Sequence, residues 1–509
     1  MSGPDAALHH RFRRGLALAP GRPAIRAGDR DVSYEAVHEM ALRWAGTACD
    51  APGGPPAVIG VLAAKSAAAY VAVLAALYAG ATVVPLNPGF PAERTRQMLD
   101  AAGVGLVFAD RAGRAALSAL GQERQRHFVL DIGDGQGAGP AAGLALPAPR
   151  PAAAGDTAYV LFTSGSTGRP KGVRISHGSL AHYFSLLDEN YGFAAADVFS
   201  QTFDLNFDCA MFDMFGAWGA GASIDPVPAA AYRDIPAYVT GRGITVWFSV
   251  PSTIALQRRL GVLRPGSLPS LRWSLFAGEA LRAADAAGWQ AAAPASTVGN
   301  LYGPTELTIT VTGHRWDPAT SPGLCVNGLA PIGFLHPGHD HFLLSDDGEP
   351  AEAEGELCVT GPQLTPGYLD PADGEGRFVE RARRRWYRTG DRVRRLADGQ
   401  LVYLGRRDSQ VQIQGWRVEL AEVEHAMRGC ADVSDAVAVT RPAAAGLELV
   451  VFYTGSPRRP ADLARNLRAA LPAGLIPRAF IHRDVFPLNG NRKIDRGALA
   501  REAQVAARP

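Results

Sequence analysis

Cysteine is scarce in this chain of 509 residues, and the five present, Cys49, Cys209, Cys325, Cys358 and Cys430, are scattered. None forms a C-x-x-C pair or sits at metal-ligand spacing. That excludes a zinc ribbon or a thioredoxin-type motif and favours free thiols in a reducing compartment. No charge of one sign dominates: 51 Lys and Arg against 49 Asp and Glu leave a net charge of +2. Nothing therefore points to nucleic acid as a partner, and the one basic run, Arg381 to Arg385, reads as solvated surface. Long apolar runs are missing too. Ala67 to Ala79 is too short and too alanine-rich to span a bilayer. The N-terminal charges are followed by no apolar core, so no secretory leader is expected. These absences lead us to expect a cytoplasmic chain with neither nucleic acid nor membrane as partner. A hydrophobic content of 47% with 20% charged residues fits a soluble enzyme, and the length allows two or more cores.

The most informative stretch that is present is Leu161-Phe-Thr-Ser-Gly-Ser-Thr-Gly-Arg-Pro-Lys-Gly-Val173. An apolar strand, Tyr159 to Phe162, stops in a loop of glycines, hydroxyls and one lysine. Such a loop can turn its amides and hydroxyls on phosphate oxygens while Lys171 adds a point charge. It is not a Walker A loop, which needs Gly-Lys-Ser/Thr; here Pro170 precedes Lys171 and Gly172 follows it. Alone, the stretch is also compatible with a Ser/Gly-rich connector.

Periodicity organises the rest. Ala57 to Leu62 reads as a strand, Ala67 to Tyr78 as a helix ending at Gly80, and Ala81 to Leu86 as the next strand. This is βαβ grammar and implies a parallel sheet. Residues 132–155, rich in Gly, Ala and Pro, read as linker, and their Gly133-Asp-Gly-Gln-Gly137 misses the dinucleotide fingerprint. A more β-like region covers Ile332 to Leu344 and Gly355 to Val359. From Gly405 the character changes: Ser409 to Trp416 alternates as a strand, Glu419 to Arg428 is a helix, and Asp435 to Thr440 and Leu447 to Tyr453 are strands. The last 100 or so residues thus form a small α+β unit.

Further segments follow in order: Asn300-Leu-Tyr-Gly-Pro-Thr-Glu306, Tyr387-Arg-Thr-Gly-Asp391, Gly405-Arg-Arg-Asp408 and Asn491-Arg-Lys-Ile-Asp-Arg496. Together with the loop they resemble the adenylate-forming superfamily of acyl- and aryl-CoA synthetases, luciferases and nonribosomal peptide synthetase adenylation domains, and most of all the amino-acid adenylation enzymes. The resemblance runs from Val32-Ser-Tyr34 to Arg496. It implies an α/β fold: a large N-terminal domain, 1–404, of stacked β-sheets flanked by helices with a small barrel-like β region, and a small mobile C-terminal α+β lid, 405–509, hinged at Asp408. The chain ends soon after Arg496 with no carrier segment, which leads us to expect a free-standing enzyme.

The implied reaction has two steps, needing ATP and Mg²⁺. A carboxylate attacks the α-phosphate and expels pyrophosphate; a carrier thiol or carrier-bound amine then takes the acyl group. The resemblance implies that Thr163, Ser164, Gly165, Ser166, Thr167, Gly168 and Lys171 hold the phosphates. It further assigns Thr305 to the α-phosphate, Tyr302 to the adenine, Asp391 and Arg406 to the ribose, and Gly278, Asn300 and Gly303 to the same site. Glu306 matches the residue that helps bind Mg²⁺. Lys493 matches the catalytic lysine aimed at charge that grows in the transition state; Arg492 stands where the family usually has glycine.

Asp208, in Phe203-Asp-Leu-Asn-Phe-Asp-Cys-Ala-Met-Phe-Asp-Met214, matches the aspartate that pairs with a substrate ammonium; the bland alternative is a helix cap. The other wall positions carried over are Cys209, Phe212, Ser249, Leu275, Ala277, Leu301, Ile309 and Thr310, with Lys493 at the carboxylate end. No wall residue is charged. The expected partners are therefore a small neutral amino acid, with proline second through Leu275, Ala277 and Leu301, and a phosphopantetheinylated carrier protein. An acyl- or aryl-CoA ligase is opposed by Asp208 and by Gln412 and Gln414, where the family more often has basic residues. A catalytically lost regulatory protein is opposed by intact Lys171, Glu306, Asp391 and Lys493.

Overall fold

The computed structural model describes residues 6–28, 30–120, 128–133, 144–164, 169–407, 410–443, 446–487 and 494–505. A seven-stranded sheet has the spatial order Gly367–Tyr368, Lys171–Ser176, Thr157–Thr163, Thr82–Leu86, Val58–Leu62, Leu106–Ala109 and Phe128–Asp131. Val58–Leu62 and Thr82–Leu86 run parallel as neighbours, joined by the helix Ala67–Tyr78. This is the crossover predicted from the alternation of patterns. A nine-stranded sheet carries Val198–Gln201, Val246–Ser249, Trp273–Phe276 and Thr297–Tyr302 near its middle.

One continuous core joins these two sheets. It takes Ile59 and Val83 from the first, Phe199, Ile224 and Val246 from the second, and the helices Ala67–Tyr78 and Cys209–Gly219. Every residue from Ala68 to Tyr78 is buried, as is every residue of Cys209–Gly219. A helix covered on all sides tends to be apolar all round, as Ala67–Tyr78 is, and its alanines keep it thin enough to lie against other helices and strands; Cys209–Gly219 departs from this at the buried Asp213. Ser66 starts Ala67–Tyr78, accepting the Ala69 amide at 3.2 Å.

The β-like region forms a six-stranded, antiparallel sheet that includes Asp340–Leu344, Glu354–Thr360, Arg384–Arg395 and Leu401–Arg406, with a core of its own around Leu343, Leu357 and Tyr387. Residues beyond 410 build separate cores, one around Val418, Val423, Met427 and Val451, another around Val439, Val450 and Leu499.

One local expectation changes. The alternating segment predicted as one strand to Trp416 is a hairpin, Gln410–Ile413 paired antiparallel with Trp416–Glu419. Gln414 and Gly415 turn it with φ of 49° and 82°. Two positive-φ residues match the right-handed twist of the flanking strands. A glutamine in the first of these positions is not the Asn-Gly or Asp-Gly signal that announces such a turn.

Candidate active site

The phosphate-loop segment joins two antiparallel strands, with Thr163 opposite Lys171. Gly165, Ser166, Thr167 and Gly168 lie outside the described residues, as do Lys493 and Asp408. Lys171 begins the second strand and its Nζ lies 3.7 Å from Asp373 Oδ1. Ser164 is buried, and its hydroxyl donates to the Arg417 carbonyl at 2.6 Å.

A cavity of about 490 Å³ is bordered by Gly278, Leu301, Tyr302, Gly303, Asp391 and Arg406 among others. The Tyr302 hydroxyl donates to Asp391 Oδ2 at 2.6 Å, and Arg406 Nη1 donates to Asp391 Oδ1 at 2.8 Å. Burial and then the Asp391 charge push the Tyr302 hydroxyl well above its usual range, so it stays a donor. Asn300 is one residue behind the wall. It is buried, and its side-chain amide donates to the Pro331 carbonyl at 2.7 Å. Gly303 is required by contact: a Cβ there would meet Thr310 Cα at 2.6 Å. The chain that approaches it is bent, with Thr308 and Ile309 at φ of 58° and 69°. Such angles are costly for β-branched residues and mark a position held by its surroundings.

A smaller cavity of about 100 Å³ is bordered by Thr163, Ser164, Asp208, Cys209, Ala277, Gly303, Thr305 and Ile309. It shares Gly278, Gly303, Pro304, Gln412 and Arg417 with the large one. Asp208 is 9% exposed, and its Oδ2 has no hydrogen-bond partner. Its side chain does not cap the helix that begins at Cys209, so the bland alternative has no support. Burial pushes the carboxyl up to about 6. Of the other wall positions, Ser249 borders a third cavity, of about 370 Å³, and takes the Trp247 indole N–H at 2.9 Å. Phe212 and Leu275 are buried in the main core. Thr310 is buried behind the wall, 3.2 Å from the Tyr183 hydroxyl.

Glu306 sits next to Thr305 and is 1% exposed. The Tyr368 hydroxyl donates to its Oε1 at 2.7 Å and Arg417 Nη1 to its Oε2 at 2.7 Å. Burial alone would raise this carboxyl, but the Arg417 charge and the Tyr368 hydroxyl hold it at about 2. An ionised carboxylate is the hard oxygen donor that Mg²⁺ takes. One or two such donors with substrate phosphates suffice for that ion, and among the described residues no cluster of acidic, His or Cys side chains forms a cage without substrate. Glu306 thus fits a metal shared with a bound polyphosphate.

Several residues that shape the site carry no signal in the sequence. Arg94, on the helix Ala92–Ala101, forms a buried ion pair with Glu422, 328 positions away, and so ties the last 100 residues to that helix. Glu279 accepts the Ser252 amide at 2.8 Å and the Gly415 amide at 3.0 Å. Trp416 packs against Phe207, ring centroids 5.0 Å apart, and Phe90 at 6.0 Å. These pairings join distant segments, and no local pattern encodes them. All five cysteines are free, and among the described residues no helix is long and apolar enough to cross a membrane.

A profile of the family described as AMP-binding enzyme matches residues 12–369. The L-proline--[L-prolyl-carrier protein] ligase of Streptomyces coelicolor is 36% identical over 462 residues, covering 85% of each chain. The solved structure of IdnL7 is 54% identical, with 99% of this chain and 100% of that one covered at a TM-score of 0.76. The adenylation domain AlmE of Vibrio cholerae, solved with glycyl-adenosine-5'-phosphate, is 29% identical, with 98% of each covered at a TM-score of 0.85. Other curated relatives are far longer: the chain spans 6% of one synthetase and 40% of another. The mixed α/β architecture is that of adenylation domains with a large N-terminal and a small C-terminal part. A match of this extent means that the chain belongs to the AMP-binding enzymes of the adenylate-forming superfamily.

Proposed function

We propose that this enzyme activates a small neutral amino acid with ATP and passes the acyl group to a carrier protein. The observation that carries this reading is Asp208, a buried carboxylate with an unpartnered oxygen at the edge of a cavity of about 100 Å³. A buried charge is costly without a partner, and a substrate ammonium would supply one. The cavity's size and the uncharged Cys209, Ala277 and Ile309 on its border favour a small side chain; Arg94 and Arg417, which also border it, are paired with Glu422 and Glu306. The glycyl-adenylate bound by AlmE is in keeping with that.

In this reading Asp208 fixes the amino group, which turns the substrate carboxylate toward Thr163, Ser164 and Thr305 at the same cavity. The carboxylate oxygen attacks the α-phosphate of ATP, the bond to the β-phosphate breaks, and pyrophosphate leaves. Asp391 accepts the ribose hydroxyls, Arg406 and Tyr302 hold Asp391 in place, and Tyr302 lies along the adenine. Lys171 and the loop residues 163–168 take the outgoing phosphates, and Lys493 offsets charge at the α-phosphate. Mg²⁺ held through Glu306 would add electrostatic neutralisation of the phosphates. Residues 1–404 bind ATP and the amino acid, and 405–509 carry the catalytic Lys493 and move as a lid about Asp408. In the second step the hairpin Gln410–Glu419 faces the adenylate, and the thiol of a phosphopantetheine arm, or a carrier-bound amine, attacks the acyl carbon and releases AMP.

ATP–pyrophosphate exchange across amino acids tests this directly. Alanine, glycine or serine should support exchange while propionate and benzoate do not; robust exchange with propionate would move the chain to the acyl-CoA ligases. A second reading, proline as substrate, is favoured by the prolyl-carrier protein ligases at 36% and 30% identity. The same assay decides it.

A further inference from the structure

The segment that brings Ile309 to the border of the small cavity lies between the short helical turn Thr305–Leu307 and the strand Thr312–Arg315. Thr308 and Ile309 take φ of 58° and 69° in succession, and every residue from Leu307 to Thr310 is buried. Buried carbonyls on such a path still need donors. One side chain supplies them. Gln363 is fully buried, and its Nε2 donates to the carbonyls of Leu307 at 3.0 Å, Thr308 at 3.0 Å and Thr310 at 2.8 Å. Two N–H bonds are shared among three acceptors, so the amide nitrogen and not the oxygen must face them. The Thr308 hydroxyl returns a bond to the Gln363 carbonyl at 2.7 Å. We propose that Gln363 is a positioning residue that sets the size selectivity of the amino-acid cavity, by holding Thr308–Thr310 in the left-handed path that stands Ile309 at its border. This deepens the proposed function and rests on the small cavity being the site of the substrate acid.

Gln363 borders none of the three cavities, so it acts through the segment it holds. Positive φ is unfavourable for a threonine and an isoleucine, and the arrangement persists only while the surroundings impose it. Without the three shared bonds the segment relaxes toward negative φ. That is a change of more than about 100° at Ile309, and it turns the side chain away from the border. Gln363 is itself anchored. Its main-chain amide donates to His339 Nε2 at 3.3 Å, and His336 Nδ1 lies 3.4 Å from its Oε1. The His336 amide in turn donates to the Val311 carbonyl at 2.8 Å. The same segment meets the ammonium site, because the Ile309 amide is among the groups that favour the Asp208 carboxylate. Cavity size and the place of the amino group are thus set by one clamp.

The test is pyrophosphate exchange by the full chain with alanine and with valine, which adds two methyl groups. Q363M keeps the length of the side chain and removes its donors. The ratio of kcat/KM for alanine over valine should fall by at least about tenfold, with the valine value rising outright and the KM for ATP within about twofold of wild type. A rise with the larger acid is not what simple loss of stability gives. I309A should relax the ratio too, and I309A/Q363M should match I309A alone, because the two act through one side chain. An unchanged ratio in folded Q363M, or a fall that adds in full to that of I309A, overturns the proposal. Should Q363M fail to fold, T308G is read by the same ratio: glycine leaves positive φ freely, and the hydroxyl bonded to Gln363 is gone. The ratio is taken between the acid that the wild type prefers and its homologue two methyl groups larger. A preference for propionate would therefore remove the proposed substrate class, while propionate against isovalerate would still decide the role of Gln363.

Discussion

Tyr302 donates its hydroxyl to Asp391 at 2.6 Å, across 89 positions of sequence, and so joins the last residues of a strand in the nine-stranded sheet to the six-stranded sheet. Asp391→Ala removes the acceptor that Tyr302 and Arg406 share. The KM for ATP should rise by about a hundredfold, the scale of a lost charge-assisted pair, while the KM for the amino acid stays within about threefold. Tyr302→Phe should give a smaller rise in the ATP KM, about tenfold. Initial rates of pyrophosphate exchange at varied ATP check both, and an equal effect on the two substrates would remove Asp391 from the nucleotide site.

Asp208 predicts a pH dependence with two opposite senses. Its carboxyl is raised from 3.8 to about 6 by burial. Only the carboxylate pairs with an ammonium, so the amino-acid KM should climb as pH falls below about 6, by up to ~tenfold per unit. The ligand-free protein behaves in the other direction. Its folded state holds more protons than the unfolded state between the two values. This contribution to stability is therefore full below about 4 and is lost as pH rises to about 6, on the order of 3 kcal/mol. Asp208→Asn should abolish both trends, as followed by exchange kinetics and by thermal melts across pH.

Lys493→Ala should abolish adenylate formation and spare transfer from pre-made aminoacyl-adenylate, because the charge that Lys493 is proposed to offset exists mainly in the first transition state. Asp408→Pro fixes φ and removes an N–H at the proposed hinge, and should slow one half-reaction while leaving the other. Single-turnover measurements of each half-reaction check both variants. Equal losses in the two steps for Lys493→Ala would overturn its role.

Gly415→Ala tests the seat of the hairpin. Gly415 has a φ of 82°, and an added Cβ would meet Val250 Cγ1 at 2.7 Å. The strain falls on the seated arrangement. Transfer to the acceptor should slow by more than about tenfold, with pyrophosphate exchange changed less than about twofold. The reverse pattern would place this hairpin arrangement in the first step.

Legibility in the sequence followed the range of the interaction. The helix Ala67–Tyr78 is found where its run of small apolar residues and the following Gly80 placed it, because its limits are local. The hairpin at Gln414–Gly415 looks like one strand in the sequence, because its turn depends on a glutamine at positive φ. Asp208, Glu306 and Asp391 were each visible inside a short ordered segment. Glu279, Tyr368 and Arg94 were not: each earns its place through a partner far away in the chain, as Arg94 does with Glu422, and a single helical arginine looks like solvated surface until the fold supplies that partner.

The border shared by the large and small cavities, Gly278, Gly303 and Pro304 with Gln412 and Arg417, has a consequence for inhibitor chemistry. A non-hydrolysable compound with an adenosine at one end and a primary amine at the other could occupy both spaces, its second contact made at the high effective concentration set by the first. Because Gln412 and Arg417 belong to the hairpin, such a compound would also select the seated arrangement. Its residence time should then be governed by how rarely the proposed lid opens.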